Sequence, residues 1–331
     1  MITVLICLII FNIFFCYFYS KIIKIFNVFD YPDKNRKRQK EKIPVTGGLL
    51  IFFNYILLIL FNELFQFGLF NYLDISNLDF IATFIVIPSI FYLIGLYDDK
   101  HDLNPYSKFL ISIFLFYIII QLNNNFLIDK IVINNLNIDI SIIKFSIFLS
   151  ILCYLLFQHA FNMFDGINLQ IGFYSLFFLI FLFYLTEISF FLLLILPILF
   201  FLILNFKNQS YMGDSGCYFI SYLISINCVF FYNNERLSSE EIFLLMMIPG
   251  IDMFRLFIQR IYKKKLPFSP DRHHLHHYLT LKLSYLWANL ISMTLIIFPM
   301  ISYLIFQKFV TTVIFTISIY LIVIYLIIKK S

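Results

Sequence analysis

Long uninterrupted apolar runs separated by short polar segments set the pattern of this chain. The runs fall at 2–20, 47–66, 81–97, 107–121, 142–158, 171–186, 188–204, 217–232, 242–259, 286–306 and 309–328, with 107–121 the shortest. Most come close to the roughly 20 residues a helix needs to cross a bilayer. None has the short apolar–polar alternation of a transmembrane strand. In lipid every backbone N–H and C=O must be paired inside the protein, so only helices and closed barrels can span it. The pattern predicts an all-α, polytopic integral membrane helix bundle of about eleven transmembrane helices, forming one membrane domain over residues 1–331. Met1–Ser20 has neither a basic leading region nor a small-residue cleavage site, so it is expected to remain as the first helix.

Composition sharpens this. Of 331 residues, 61% are hydrophobic and 13% charged, with 45 Phe, 22 Tyr and one Trp. That charged share is about half that of an ordinary soluble domain. A soluble enzyme, a disordered tail, a collagen-like chain and a disulfide scaffold are excluded. The five cysteines lie singly with no CxxC pair, and read as small core residues.

Charge sets the expected orientation. With eleven spans, one face receives the segments 21–46, 98–108, 159–170, 205–216, 255–285 and the C-terminal tail, which hold 20 of the 24 Lys and Arg residues. Only Lys130, Lys144, Arg236 and Lys308 fall on the other face. The positive-inside rule then makes the first face cytoplasmic, with the N-terminus outside and the C-terminus inside.

Asp98, Asp99, Asp102, Asp165, Asp214, Asp252 and Asp271 all lie in, or at the inner end of, these cytoplasmic segments. Acids at membrane helix ends are costly unless they line a wet cavity or bind something. Five constellations contain or border them. Gly95-Leu-Tyr-Asp-Asp-Lys-His-Asp102, followed by Lys108, carries adjacent carboxylates that need a cation or divalent metal nearby. On a helix the two project about 100° apart, so one can face a ligand while the other holds a metal or orients its partner.

Asn162-Met-Phe-Asp165-Gly166-Ile-Asn168 places Asn162 and Asp165 on one helical face, or serves as a helix cap. Tyr211-Met-Gly-Asp214-Ser-Gly216 offers a hard oxygen ligand suited to Mg²⁺ inside a tight turn, with a plain β-turn as the alternative. In Ser269-Pro-Asp-Arg272-His-His-Leu-His-His277, residues His273, His276 and His277 are at i, i+3 and i+4. Zinc is one reading of that face; phosphate recognition by Arg272 and histidine donors is favoured, because Lys263-Lys-Lys265 adjoin it and no Cys does. Last, Asp30-Tyr-Pro-Asp-Lys-Asn-Arg-Lys-Arg38 with Lys40, Lys42 and Gly47-Gly48 attracts anionic headgroups, signals topology, or both. The glycine pair permits close helix packing.

In this order the five constellations resemble the polyprenyl-phosphate N-acetylhexosamine-1-phosphate transferases, bacterial membrane enzymes of glycosyltransferase family 4, from Asp30 to His277. The histidine segment is similar to the branch acting on UDP-N-acetylglucosamine or related UDP-amino sugars. The phospho-N-acetylmuramoyl-pentapeptide transferases, an alternative reading, carry a different histidine-rich loop. The resemblance implies a Mg²⁺-dependent exchange at the cytoplasmic face of the bacterial inner membrane. Polyprenyl phosphate, such as undecaprenyl phosphate, attacks the β-phosphate of a UDP-N-acetylhexosamine. UMP leaves, and the polyprenyl-diphosphate sugar initiates a surface glycan such as O-antigen.

Carried over by motif, Asp98, Asp99 and Asp165 are the implied catalytic carboxylates, and Asp214 and Asn162 the implied metal ligands. Asn162, Arg272, His274, His276, His277 and Lys108 are the implied substrate-binding residues. No nucleic acid is expected, and a homodimer is a candidate assembly because related enzymes can be dimers. The chain departs from the family at Asn168, commonly Asp, at His159, commonly Asn, and at Gln39, near a frequent His. An asparagine at 168 cannot act as a base. Two rivals from other classes are a cation transporter, which predicts ionisable groups at span centres where this chain has almost none, and a non-catalytic scaffold in which Asn168 marks lost activity.

Overall fold

The computed structural model describes residues 2–32, 41–73, 75–265 and 273–329. In chain order the elements are α1 (Ile2–Tyr17), α2 (Tyr19–Phe26), β1 (Phe29–Asp30), β2 (Ile43–Pro44), α3 (Gly47–Phe65), α4 (Asn77–Phe80), α5 (Ile87–His101) and α6 (Pro105–Leu122). They continue as β3 (Lys130–Ile133), β4 (Ile138–Ser141), α7 (Ser146–Phe164), α8 (Gln170–Thr186), α9 (Ser189–Phe206) and α10 (Gly213–Asn233). The chain ends with α11 (Ser239–Tyr262), α12 (Leu275–Thr280), α13 (Tyr285–Phe306) and α14 (Phe309–Lys329).

A helix occupies each of the eleven predicted positions, but they are not equivalent. Among the described residues eight are long and apolar enough to cross a membrane, or nine if α1 and α2, bent by 72°, form one span. Of the two others, α8 has only 17 residues, and α11 carries Glu240, Glu241, Asp252, Arg255 and Arg260 along its 24. The protein is a mostly helical, multi-pass membrane protein. The all-α expectation overlooked two short antiparallel pairs, β1–β2 and β3–β4. The second is an Ile- and Val-rich hairpin (Lys130-Ile-Val-Ile133) that turns at Asn137, which sits at φ 51° where asparagine is tolerated.

Two compact units make up the chain, Met1–Asn124 with Ile171–Ile224 and Asn125–Gln170 with Ser225–Ser331. In the first, a π-helical turn at Ile81–Val86 leads into α5. Such a turn leaves backbone carbonyls without their usual helical partners. Tyr222 donates to the Thr83 carbonyl at 2.7 Å and Tyr55 to the Phe84 carbonyl, so both groups are paired by fully buried tyrosines. Two buried amides join α1 to α3: Asn12 Nδ2 donates to Asn54 Oδ1 at 2.7 Å, and Asn54 Nδ2 returns to Asn12 Oδ1 at 3.1 Å. In the second unit the hairpin is secured by Tyr232, whose hydroxyl accepts from Val132 N at 2.9 Å and donates to the Lys130 carbonyl at 3.0 Å.

Candidate active site

Within the first unit the structure assembles three of the five constellations. After Asp102, in the left-handed region at φ 51°, the chain turns through Leu103 and Asn104 into α6, whose first turn Asn104 caps through Tyr106 N. This tight reversal brings Lys108 beside Asp98. The ammonium lies against Asp98 Oδ2 and 3.4 Å from Asp214 Oδ2, so two carboxylates from different helices share one cation. Asp98 is 4% exposed and Asp214 32%, giving the cluster a buried and an accessible end. Two like charges this close are tolerated because the ammonium lies between them.

Asp99 has a different task. Its carboxylate accepts from Asp214 N at 2.8 Å and Ser215 N at 3.1 Å, the first amides of α10. An anion there satisfies orphan donors and complements the helix dipole. The adjacent aspartates are thus divided as helical geometry requires, with Asp98 on the cation and Asp99 on the turn that presents Asp214.

That turn is held from several sides at once. Gly213 has φ +76°, and a Cβ there would lie 2.2 Å from Val45 Cγ1 and 2.6 Å from Asp99 Oδ2. At Gly95 a Cβ would meet Ser215 Cα at 2.4 Å, and at Gly48 it would meet Gly216 N at 2.4 Å. The segment after β2 runs alongside: Tyr211 N donates to the Pro44 carbonyl, and Gly47 N and Gly48 N donate to the Tyr211 and Met212 carbonyls. The glycine pair therefore packs α3 against the start of α10. Of the charged run before it, 33–40 lie outside the described residues, while Lys42 Nζ sits 4.5 Å above the Phe29 ring.

The second unit brings the other two constellations together. Helix α7 ends at Phe164, with Asn162 in its last turn, and the amide of Asp165 donates to the Asn162 carbonyl at 3.1 Å. Asp165 is the residue after the helix, so the pair does not share a helical face as the spacing suggested. Gly166 follows, and a Cβ there would fall 1.8 Å from His276 Nε2. Only glycine lets that imidazole approach so closely.

The expected histidine face also differs. Helix α12 starts at Leu275, so His273 precedes it and donates to, or accepts from, the Tyr278 hydroxyl at 2.8 Å. The rings that cluster are His274, His276 and His277: the first two stack in parallel with centroids 5.2 Å apart, and His276 and His277 are 4.3 Å apart. Arg272 and Asp271 lie outside the described residues. Asn168 contributes its backbone carbonyl to Asn289 Nδ2 at 2.7 Å.

One further acid belongs with the histidines and was not among the predicted site residues. Asp252, 3% exposed on α11, accepts from His274 Nδ1 at 2.9 Å, Arg255 Nη2 at 2.8 Å, the Tyr320 hydroxyl at 2.7 Å and Leu275 N. In sequence it is one of the seven acids of the cytoplasmic segments, with no motif around it, because its partners lie up to 68 residues away.

No group of three or more His, Cys, Asp or Glu side chains among the described residues is placed to hold a metal alone. The donor chemistry around Lys108 nevertheless suits Mg²⁺, which commonly takes one or two protein carboxylates and fills its other positions with water and phosphate oxygens.

Residues 81–232 match the family described as Glycosyl transferase family 4, a stretch that contains Asp98, Asp99, Lys108, Asn162, Asp165 and Asp214. The chain is 24% identical over 293 residues to the undecaprenyl-phosphate alpha-N-acetylglucosaminyl 1-phosphate transferase of Escherichia coli O157:H7, covering 83% of this chain and 75% of that protein. The enzyme of the same name from Salmonella typhi is 23% identical over 265 residues, covering 73% and 66%. That of Shigella flexneri is 24% identical over 298 residues, covering 83% and 75%. The paired aspartates, the Asn-x-x-Asp-Gly turn and the Gly-Asp-Ser-Gly turn all fall inside the matched stretch, so residues 81–232 carry the glycosyl transferase family 4 match and the chain is a distant homologue of these enzymes.

Proposed function

We propose that this protein transfers an N-acetylhexosamine-1-phosphate group from a UDP-sugar to polyprenyl phosphate. A phosphate oxygen of the lipid forms a bond to the β-phosphorus, the bond from that phosphorus to the bridging oxygen breaks, and UMP leaves. The reading rests above all on Lys108 shared between Asp98 and Asp214, with Asp99 fixing the turn that carries Asp214. Both substrates are anionic, so catalysis needs charge neutralisation and in-line positioning more than covalent chemistry.

Within that scheme Lys108 neutralises phosphate, and Asp98 and Asp99 hold the lysine and the Asp214 turn in register. Asp165, which precedes Gly166, is a catalytic carboxylate, and Arg272, His274, His276 and His277 bind the UDP-sugar. Asp214, with Asp98 beside it, would hold Mg²⁺, which when bound would offset charge on the diphosphate. The reaction runs at the cytoplasmic face of the bacterial inner membrane, and its product initiates a surface glycan such as O-antigen.

Membranes containing the protein, incubated with Mg²⁺, polyprenyl phosphate and a panel of radiolabelled UDP-N-acetylhexosamines, should yield a lipid-extractable product from at least one sugar. Chelating the metal should abolish it. A folded protein that labels lipid from none of them removes the reading.

A further inference from the structure

Asp252 lies on a helix flanked by apolar turns, is almost fully buried, and takes all its partners from within the second unit. A buried carboxylate is costly unless paired and hydrogen-bonded. Here the donors come from Arg255 one turn along α11, Tyr320 on α14, and two consecutive residues of the histidine segment. The guanidinium reaches further: Arg255 Nε meets the Tyr320 hydroxyl at 2.9 Å, and Nη2 donates to the His273 carbonyl. Three successive residues are therefore pinned, His273 by its carbonyl, His274 by its ring and Leu275 by its amide.

Because an ionised carboxylate only accepts, the bond to Asp252 assigns a proton to His274 Nδ1 and leaves Nε2 as the ring's other polar atom. The His276 ring stacks parallel to that imidazole, and His276 in turn fills the space above Gly166. Orientation thus passes from Asp252 through His274 to His276.

We propose that Asp252 is a positioning residue, braced by Arg255 and Tyr320, that holds the histidine segment in the orientation needed to receive the diphosphate of the nucleotide-sugar. The proposal rests on the reading above that these histidines meet the UDP-sugar. It assigns a role to a carboxylate outside the matched family stretch.

The test uses the full chain in membranes, with Asp252→Asn, Asp252→Glu and Tyr320→Phe compared with the unaltered protein. Donor and acceptor are varied separately, using undecaprenyl phosphate and whichever UDP-N-acetylhexosamine labels lipid in the panel. Asp252→Asn should raise KM for the UDP-sugar about tenfold or more, the scale seen when the partner of a functional histidine is lost. KM for the lipid should stay within about twofold, as expected when only one substrate's binding is weakened. Asp252→Glu should recover part of the loss, and Tyr320→Phe should shift the same constant less.

Alongside, diethyl pyrocarbonate labelling of His274 and His276, followed by mass spectrometry, should quicken in Asp252→Asn. An unchanged UDP-sugar KM, or equal shifts in both KM values, overturns the proposal, as does unchanged labelling. If the unaltered protein makes no lipid-linked sugar, the transferase reading fails and labelling alone decides the clamp. Should Asp252→Asn not accumulate, Tyr320→Phe and Arg255→Lys carry both readouts.

Discussion

Carboxylates in the two units are used in opposite ways. In the first, Asp98 and Asp214 face a shared lysine, and the Asp214 end remains a third exposed. In the second, Asp252 is enclosed by four donors from three parts of the chain. The first arrangement leaves charge available to an anionic substrate and its counter-ion, whereas the second commits its charge to holding neighbours in place. Asp99 resembles Asp252 in this, its oxygens being taken by the amides of α10, and Asp98 is engaged by Lys108 and Leu103 N, which leaves Asp214 as the accessible acid. What an acid can do is set by how its oxygens are already engaged, more than by the motif that contains it.

The sharpest test of this contrast sets Asp98 and Asp214 against Asp99. Asp98→Asn and Asp214→Asn should each lower transferase activity by about 100-fold or more, as expected when a charged group stabilising the transition state is lost. Protein abundance should be retained, as read by detergent-extracted yield. Asp99→Asn keeps an oxygen acceptor at α10 but loses the charge, so it should cost about 1–2 kcal/mol of stability with a smaller drop in activity. An Asp99→Asn protein with unaltered thermal stability and activity as low as Asp98→Asn would break the comparison.

Next in size is Gly166→Ala, where the methyl group must displace His276. Overpacking of this kind typically costs about 1–3 kcal/mol, and the UDP-sugar KM should rise with it. A tolerated alanine, with donor KM unchanged, would mean that the histidine is not needed where it sits. Smallest is Asn12→Leu, which breaks the amide pair between α1 and α3 and touches neither cluster. It should cost about 0.6 kcal/mol, the mean for polar contacts between membrane helices, and leave both KM values alone. Thermal unfolding in detergent and the same transferase assay read both effects.

Much of the fold is legible in the chain itself. All eleven apolar runs became helices, because lipid demands internally paired backbone wherever apolar residues continue for about 20 positions. The π-helical turn before α5 was not, since it depends on Tyr55 and Tyr222, distant in sequence, taking up its carbonyls, and the bend between α1 and α2 and the β3–β4 hairpin were missed as well. The candidate site divides in the same way. The aspartate pair, the Gly-Asp-Ser-Gly turn and the histidine run announce themselves by local density of unusual residues. Asp252 does not, because it is a single acid whose partners Tyr320 and His274 lie 68 and 22 positions away. The expected helical grouping of His273 with His276 and His277 failed for a local reason, the start of α12 at Leu275.

By itself, then, the order of residues determined that this is a multi-pass membrane protein with acidic and basic motifs gathered at helix ends. Hydropathy accumulates residue by residue, so a one-dimensional record suffices to report it. Only the tertiary structure decided that Lys108 serves both Asp98 and Asp214, that Asp99 anchors a helix start, and that Gly166 makes room for His276. Those are pairwise relations across tens to more than a hundred positions, and electrostatic and steric energies depend on separation in space, which the chain acquires only when it folds.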